Sequence, residues 1–187
     1  MDKDKELNVP LDSHSINREH SLFFLIGLMG SGKTYWAQRL SDLFQCDWID
    51  LDQQIEKATE MTVREIFATE GEDFFRAKER DTLKQLSAVN KLIVACGGGT
   101  PCFYNNMQWM NENGTTIWLK PDVDELVVRL KRGKHKRPLI ADLDDEELKV
   151  FIIKKWKERE PFYSLAKYHI HGDNISLEKM TQLFQHA

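Results

Sequence analysis

Residues 27–34 read GLMGSGKT, which matches the phosphate-binding pattern G-x-x-x-x-G-K-[ST]. The segment follows an apolar run, SLFFLIG at residues 21–27, and precedes a helix predicted over Lys33–Phe44. Strand, glycine-rich loop and helix in this order let the loop's backbone N–H groups and the amino end of the helix face one anion. The stretch therefore predicts a site for the phosphates of a nucleoside triphosphate.

Individual residues of this phosphate loop have expected roles. Lys33 is expected to reach the β- and γ-phosphates, and the Thr34 hydroxyl to be a ligand of Mg²⁺. The residues predicted to bind the nucleotide in this loop are Gly30, Ser31, Gly32, Lys33 and Thr34. A glycine-rich turn without a ligand is the alternative interpretation. The pattern also leaves the reaction open, because GTPase switches, motor ATPases and several kinds of kinase share it.

Strands and helices alternate along the rest of the chain. Further short strands are predicted at Trp48 and Ile49 and at residues 91–96, 115–119 and 168–170. The helices between them have readable ends. Thr62 and Glu65 form a capping box, and Gly71 ends that helix before another over residues 73–86. Pro121 and Asp122 begin a helix that runs to Lys131, and Pro161 ends one that spans residues 146–160. This alternation predicts an α/β protein of the P-loop NTPase type. It would have a three-layer α/β/α architecture with a mostly parallel five-stranded sheet.

At 187 residues the chain has the length of one domain. Residues 1–20 are polar and lack apolar periodicity, so they are expected to form a loosely ordered tail before a single domain at residues 21–187. Residues 52–86 are expected to be a helical insertion that grips a substrate. Residues 131–145, basic and then acidic, are expected to form a lid.

Composition excludes several classes of partner. A formal net charge of −4 gives no basic field for nucleic acid or an anionic membrane, and no apolar run approaches the roughly 20 residues that span a bilayer. The three cysteines lack the paired spacing of a zinc site or disulfide framework. A cytoplasmic protein is expected.

Two carboxylates follow the second predicted strand. Asp50 and Asp52 lie on one side of the chain if the backbone stays extended there. One of them would then hold Mg²⁺ through water while the other meets an acceptor hydroxyl. The alternative is that Asp52 caps a helix over residues 52–57.

Cationic side chains and a glycine run complete the candidate site. Arg76, in FFRAKE, is expected to be partly removed from water and suited to a carboxylate, or else to form a surface ion pair with Glu79. A tight turn does not need three glycines, so we expect the run CGGGT to contact a ligand through its backbone at Gly97, Gly98 and Gly99. A turn without a ligand is the alternative interpretation.

Two further arginines lie later in the chain. Arg137, in KRPLI, is expected to enter the phosphate site when the lid closes, or else to belong to a solvated basic face. Arg159, in KEREPFY, is expected to be held near the pocket, with favourable placement at a helix C-terminus as the alternative.

The motifs GLMGSGKT, DLD, FFRAKE, GGGT, RPLI and REPFY, in this order, resemble those of the shikimate kinase family, within the nucleoside monophosphate kinase structural group. The resemblance covers residues 21–173. It implies transfer of a phosphoryl group from ATP to the 3-hydroxyl of shikimate, in aromatic amino-acid biosynthesis, and it implies a monomer.

The resemblance also implies a role for each matching residue. Lys33 and Thr34 would bind ATP and Mg²⁺, Asp50 would support Mg²⁺ through water, and Asp52 would engage the acceptor hydroxyls as a candidate general base. Arg76 and Arg159 would bind the substrate carboxylate. The backbone of residues 97–99 would contact shikimate, and Arg137 would be the lid arginine. Lys33, Asp52 and Arg137 are thus the candidate catalytic residues.

The chain departs from the family pattern at Tyr35, where a small hydroxyl residue is common, and either Arg129 or Arg132 is left as the arginine that contacts adenine. Two alternatives remain. One is a kinase for another small hydroxy acid such as gluconate, which should lack the paired arginines with a GGGT turn. The other is a non-catalytic nucleotide-binding module, which would be expected to lose Lys33, Thr34 or Asp52.

Overall fold

The central feature of the fold is a five-stranded sheet. The computed structural model describes residues 22–86, 91–134, 140–172 and 175–186. The strands pair in parallel in the order β2-β3-β1-β4-β5. The strands are β1 (Leu22–Ile26), β2 (Asp47–Asp50), β3 (Leu92–Ala95), β4 (Gly114–Lys120) and β5 (Tyr168–His171). The predicted parallel sheet is confirmed, and every predicted strand is present.

Helices cover both faces of this sheet. They are α1 (Lys33–Phe44), α2 (Leu51–Thr59), α3 (Val63–Thr69), α4 (Gly71–Gln85), α5 (Asn106–Asn113), α6 (Val123–Lys131), α7 (Asp145–Tyr163) and α8 (Leu177–His186). Successive side chains of β1 point to opposite faces, so Phe24 packs in a core with α2 to α7 and Phe23 in a second core with α1 and α8. The predicted three layers are therefore present.

The insertion after β2 has the helix ends that its sequence predicts, with one shift. Thr62 and Glu65 form the reciprocal capping box at the start of α3. Gly71 does separate two helices, but α4 begins at Gly71 itself, two residues earlier than predicted. These helices place one edge of the insertion beside the carboxyl end of β3.

The prediction that Pro161 ends the helix before it is wrong, because α7 continues through Pro161 to Tyr163. A proline removes one backbone N–H and crowds the carbonyl four residues earlier. The last turn nevertheless forms, since Ser164 N–H donates to Glu160 O at 2.9 Å and the Tyr163 side chain is buried. Tertiary packing of Tyr163 therefore outweighs the local preference of Pro161.

Some predictions lie outside the described residues. These are the tail at residues 1–20, the arginine Arg137 and the central part of the lid at residues 135–139. At the two described ends of the predicted lid, Lys131 and Asp145 form an exposed ion pair at 2.7 Å. None of the described helices has the length and apolar character needed to cross a membrane.

Candidate active site

The phosphate loop joins the central strand β1 to α1. Gly30 and Gly32 have φ angles of 80° and 93°, in the left-handed region that glycine tolerates best. At Gly27 a Cβ atom would lie 2.6 Å from Leu119 O, so neighbouring β4 also excludes a side chain there. The backbone curl predicted for this loop is therefore enforced both locally and by packing.

Lys33 is held inside the curl of the loop. Its Nζ donates to Gly27 O and Leu28 O, each at 2.9 Å. Burial lowers the pKa of Lys33 to about 8, although the charges of Asp52 and Asp50 act in the opposite direction. The ammonium group thus occupies the centre of the loop, where an anion would lie.

Thr34 and Asp50 form a hydroxyl–carboxylate pair beside the loop. Thr34 Oγ1 donates to Asp50 Oδ2 at 2.8 Å. A hydroxyl and a carboxylate suit Mg²⁺, which takes oxygen ligands and usually keeps waters and substrate phosphates around one or two protein groups. Among the described residues, no three His, Cys, Asp or Glu side chains are grouped to hold a metal without such help. The pair therefore fits an ion that arrives with a nucleotide.

Asp50 also determines how α2 begins. It is the N-cap of α2, and its Oδ1 accepts from Asp52 N–H at 3.2 Å. The alternative that Asp52 caps this helix is thus wrong, because the cap lies two residues earlier. The premise of an extended backbone from residue 50 to 52 is wrong too, since Leu51 is already helical. The helix start, and not a strand, places the two carboxylates near each other.

Asp52 is left with unused hydrogen-bonding capacity. Its Oδ1 is buried and has no hydrogen-bond partner among the described residues. The pKa of Asp52 is raised to about 6, mainly by burial and also by the charges of Glu79 and Asp50, while Lys33 and Arg76 act in the opposite direction. A carboxylate with this pKa and a free acceptor oxygen is suited to take a proton from a bound hydroxyl near neutral pH.

The glycine run after β3 explains why these side chains converge. A Cβ at Gly97 would lie 2.7 Å from Asp52 Oδ1, one at Gly98 would lie 2.7 Å from Arg159 Nη1, and one at Gly99 would lie 2.6 Å from Arg76 Nη2. Each glycine therefore leaves room for one functional side chain from a different helix. The run brings together Asp52, Arg76 and Arg159, which are far apart in sequence.

Arg76 is almost buried, with its side chain 10% exposed. Its Nη1 donates to Glu79 Oε2 at 2.9 Å, while Nε and Nη2 both donate to Glu72 Oε1 at 3.1 and 3.0 Å. The predicted pairing with Glu79 is thus present, but in a buried position and not at the surface.

Glu79 is a site residue whose importance its sequence position does not indicate. It is fully buried and accepts a hydrogen bond of 2.5 Å from Thr100 Oγ1, in the turn that follows the glycine run. Among the neighbouring charges, that of Glu79 has the largest effect in raising the pKa of Asp52. The only sequence signal for it is the spacing of three residues from Arg76, which many surface ion pairs share.

Arg159 reaches the glycine run from α7, where a Cβ at Gly98 would lie 2.7 Å from its Nη1. Tyr163, one turn later in α7, donates its hydroxyl to Gly98 O at 2.5 Å. Burial raises the pKa of Tyr163, so the phenol stays protonated and able to donate. Tyr163 therefore joins the last turn of α7 to the glycine run.

A cavity of about 250 Å³ lies beside the phosphate loop. Arg129 lies against the loop there, with Nη1 at 3.3 Å from Gly30 O and 3.4 Å from Ser31 O. Of the two arginines that the sequence leaves open for a nucleotide contact, the structure therefore places Arg129 at the loop. The lining residues are Gly30, Gly32, Lys33, Thr34, Tyr35 and Arg129.

Comparison with known proteins identifies the family of this chain. The shikimate kinase family model matches residues 29–187. A shikimate kinase of Parabacteroides distasonis is 40% identical over 155 residues, which cover 83% of this chain and 90% of that protein.

Solved structures give the same result. The crystal structure of shikimate kinase from Bacteroides thetaiotaomicron has a TM-score of 0.81 and 36% identity, and the match covers 89% of this chain and 95% of that one. The shikimate kinase of Acinetobacter baumannii, solved in complex with shikimate, has a TM-score of 0.77 and 31% identity, with 89% and 94% covered. The chain belongs to the shikimate kinase family.

Proposed function

We propose that the protein transfers the γ-phosphoryl group of ATP to the 3-hydroxyl of shikimate, giving ADP and 3-phosphoshikimate. The observation that carries this proposal is the convergence of Asp52, Arg76 and Arg159 on the backbone of residues 97–99. Two guanidinium groups beside this backbone suit a ligand with a carboxylate, and the carboxylate of Asp52 suits a ligand with hydroxyl groups. A small molecule that has both kinds of group would fit. Membership of the shikimate kinase family supports the same substrate.

The nucleotide would bind at the phosphate loop. The backbone of Gly30, Ser31 and Gly32 would face the phosphates, and Lys33 would exchange its bonds to loop carbonyls for bonds to the β- and γ-phosphates. Thr34 and Asp50 would hold Mg²⁺, directly and through water, and the ion would neutralise phosphate charge. Arg137, outside the described residues, would add a cation as the lid closes.

The acceptor would bind between α2, α4 and α7. Arg76 has five N–H donors, of which Glu72 and Glu79 engage three among the described residues, so two remain for a carboxylate. Arg159, which lies on α7, would bind the same carboxylate. This arrangement would direct the hydroxyl side of the acceptor toward Asp52 and the phosphate loop.

The chemical step follows from these positions. The 3-oxygen of shikimate attacks the γ-phosphorus, the bond from that phosphorus to the bridging β–γ oxygen breaks, and ADP departs. The proton of the hydroxyl passes to Asp52 Oδ1, which has no other partner among the described residues. Positioning and charge neutralisation supply most of the catalysis in such transfers.

The test is ADP release from MgATP by the purified protein, with shikimate, gluconate and AMP offered separately. Turnover with shikimate alone is expected, and Lys33→Met should abolish it. Turnover with gluconate and not shikimate would contradict the proposed acceptor. Binding of ATP without turnover on any acceptor would favour a nucleotide-binding module instead.

We also infer that the protein acts as a cytoplasmic monomer without a nucleic-acid or membrane partner. Its net charge of −4 gives no cationic field, and all three cysteines are free. Sedimentation at micromolar concentration should give a single species near 21.9 kDa. A stable dimer would contradict the inference.

A further inference from the structure

The guanidinium group of Arg76 lies among phenyl rings from three parts of the chain. Its central carbon is 4.4 Å from the ring centroid of Phe103, 5.1 Å from that of Phe75 and 5.8 Å from that of Phe67. Phe103 is the nearest of the three and comes from the loop after the glycine run. A ring at this distance attracts a cation through its negative face.

The loop that carries Phe103 has a costly backbone conformation. Tyr104 and Asn105 have φ angles of 50° and 57°, and consecutive non-glycine residues in the left-handed region cost about 1 kcal/mol or more each. The Asn106 side chain holds the loop by donating to Thr100 O at 3.0 Å, and Asn106 N–H donates to Phe103 O at 2.9 Å. The bend therefore fixes where the ring of Phe103 lies.

Burial of apolar area accounts for only part of this position, because Phe103 remains 37% exposed. Arg76, by contrast, is held by carboxylates only at its edge, through Glu72 and Glu79. A carboxylate ligand approaches a guanidinium group in its plane, so a ring on the face of that group leaves the remaining in-plane N–H donors free.

We propose that Phe103 is a positioning residue for substrate binding: its ring, with the guanidinium carbon of Arg76 over it at 4.4 Å, restrains the orientation of the guanidinium group so that the free N–H donors face the acceptor carboxylate. This inference rests on the proposed function, because it takes Arg76 as a ligand of that carboxylate. Phe103 does not touch the reacting atoms and acts only through Arg76.

The test compares Phe103→Leu with Phe103→Trp. Leucine keeps an apolar side chain but removes the ring face, so the KM for shikimate should rise about threefold to thirtyfold, the range that corresponds to a cation–π contact. The kcat and the KM for ATP should stay within about twofold. Tryptophan, a better cation–π partner, should restore a KM near that of the wild type.

Tyr104→Leu is the matched control. Tyr104 neighbours Phe103 in the same strained loop, but its ring stacks on Arg80, at 4.9 Å. The KM for shikimate should be nearly unchanged in this variant. An equal rise in Tyr104→Leu and Phe103→Leu would overturn the proposal, since disturbance of the loop would then explain both.

A second measurement identifies the carboxylate as the affected group. Calorimetry should give a loss of affinity for shikimate in Phe103→Leu, with a much smaller loss for shikimate methyl ester, which lacks the charge. Equal losses for both ligands would overturn the proposal.

The outcomes also separate this inference from the proposed function. If the wild-type protein phosphorylates shikimate and Phe103→Leu has an unchanged KM, only the inference fails. If the wild-type protein neither binds nor phosphorylates shikimate, the proposed function fails, and the inference that rests on it is overturned as well.

Discussion

Asp52 is the residue whose environment most directly predicts a chemical property. Its side chain lies between the cations Lys33 and Arg76 and the carboxylates Asp50 and Glu79, and burial is the largest influence on its pKa, which is raised to about 6. A group with this pKa changes charge just below neutral pH. Both catalysis and stability should therefore depend on pH through Asp52.

The catalytic rate should fall on the acid side. Below pH 6 Asp52 is protonated and cannot accept the proton of the acceptor hydroxyl, so kcat/KM for shikimate should decrease about tenfold per pH unit there. The measurement is a pH profile between 5 and 8 with MgATP saturating.

Asp52→Asn should lower kcat by about 10²-fold or more, and near-normal turnover in that variant would exclude Asp52 as the base.

The same variant should be more stable than the wild type at neutral pH. The pKa of Asp52 is raised on folding from 3.8 to about 6, so the folded state binds the proton more tightly. The contribution of Asp52 to stability is thus greatest below pH 4, decreases as the pH rises toward 6, and is unfavourable above it. An asparagine side chain carries no charge, so Asp52→Asn should raise the free energy of unfolding at pH 7.5 by on the order of 3 kcal/mol.

Urea unfolding at pH 7.5 and pH 4 checks this sign. The gain from Asp52→Asn should be present at pH 7.5 and largely absent at pH 4. A variant that is less stable than the wild type at both values would mean that the contacts of Asp52 with Lys33 and Arg76 outweigh the cost of its burial.

At the scale of elements, the turn after β3 is the part on which the site depends most. Residues 97–99 receive side chains from α2, α4 and α7, and Tyr163 and Thr100 add hydrogen bonds to α7 and α4. Gly99 shows that space, and not backbone freedom, is what matters there. Its φ of −93° suits any residue, yet a Cβ would overlap the guanidinium group of Arg76.

Gly99→Ala should therefore displace Arg76 and raise the KM for shikimate at least tenfold, with the KM for ATP nearly unchanged. Steady-state kinetics with each substrate varied in turn measures both values. Gly71→Ala is the control, because Gly71 has a φ of 84° but open space around it, so this variant should lose about 1 kcal/mol of stability and keep its KM for shikimate. Equal effects of the two variants on KM would contradict the crowding argument.

The elements also show what sequence can and cannot predict here. The strands, the phosphate loop and the capping box follow from patterns within about ten residues, and all are present. The contact of Glu79 with Thr100 spans 21 residues and that of Tyr163 with Gly98 spans 65, and no local pattern encodes such pairs. The end of α7 is predicted wrongly for the same reason, because the burial of Tyr163, and not the local preference of Pro161, determines where the helix ends.

At the scale of the whole molecule, the sheet order places the phosphate loop at its centre. β1 lies between β3 and β4, so the loop at its carboxyl end is flanked by the glycine run after β3 and by the start of α6 after β4. Both substrates can therefore meet over one strand. The described part of this arrangement begins with β1 at Leu22.

Removal of residues 1–20 should accordingly leave the enzyme intact. β1 begins at Leu22 and the family model matches residues 29–187, so the described strands and the proposed site residues all follow the earlier segment. The melting temperature should change by less than about 2 °C and kcat/KM by less than about twofold. A large loss of either in the truncated chain would show that residues 1–20 are part of the working protein.

The bonds of Lys33 to Gly27 O and Leu28 O make nucleotide binding an exchange reaction in which a proton takes part. With a pKa of about 8, part of the Lys33 population is neutral in mildly alkaline buffer, whereas a bound triphosphate favours the ammonium form. Binding of ATP should then take up protons from the medium, and affinity should decline as pH rises through 8. Titration calorimetry at pH 8 in buffers of different ionisation enthalpy should give apparent heats that differ by the proton uptake, and Lys33→Met should remove that difference. The phosphate loop would thus be a proton-linked receptor, whose affinity for ATP depends on the pH of the solution.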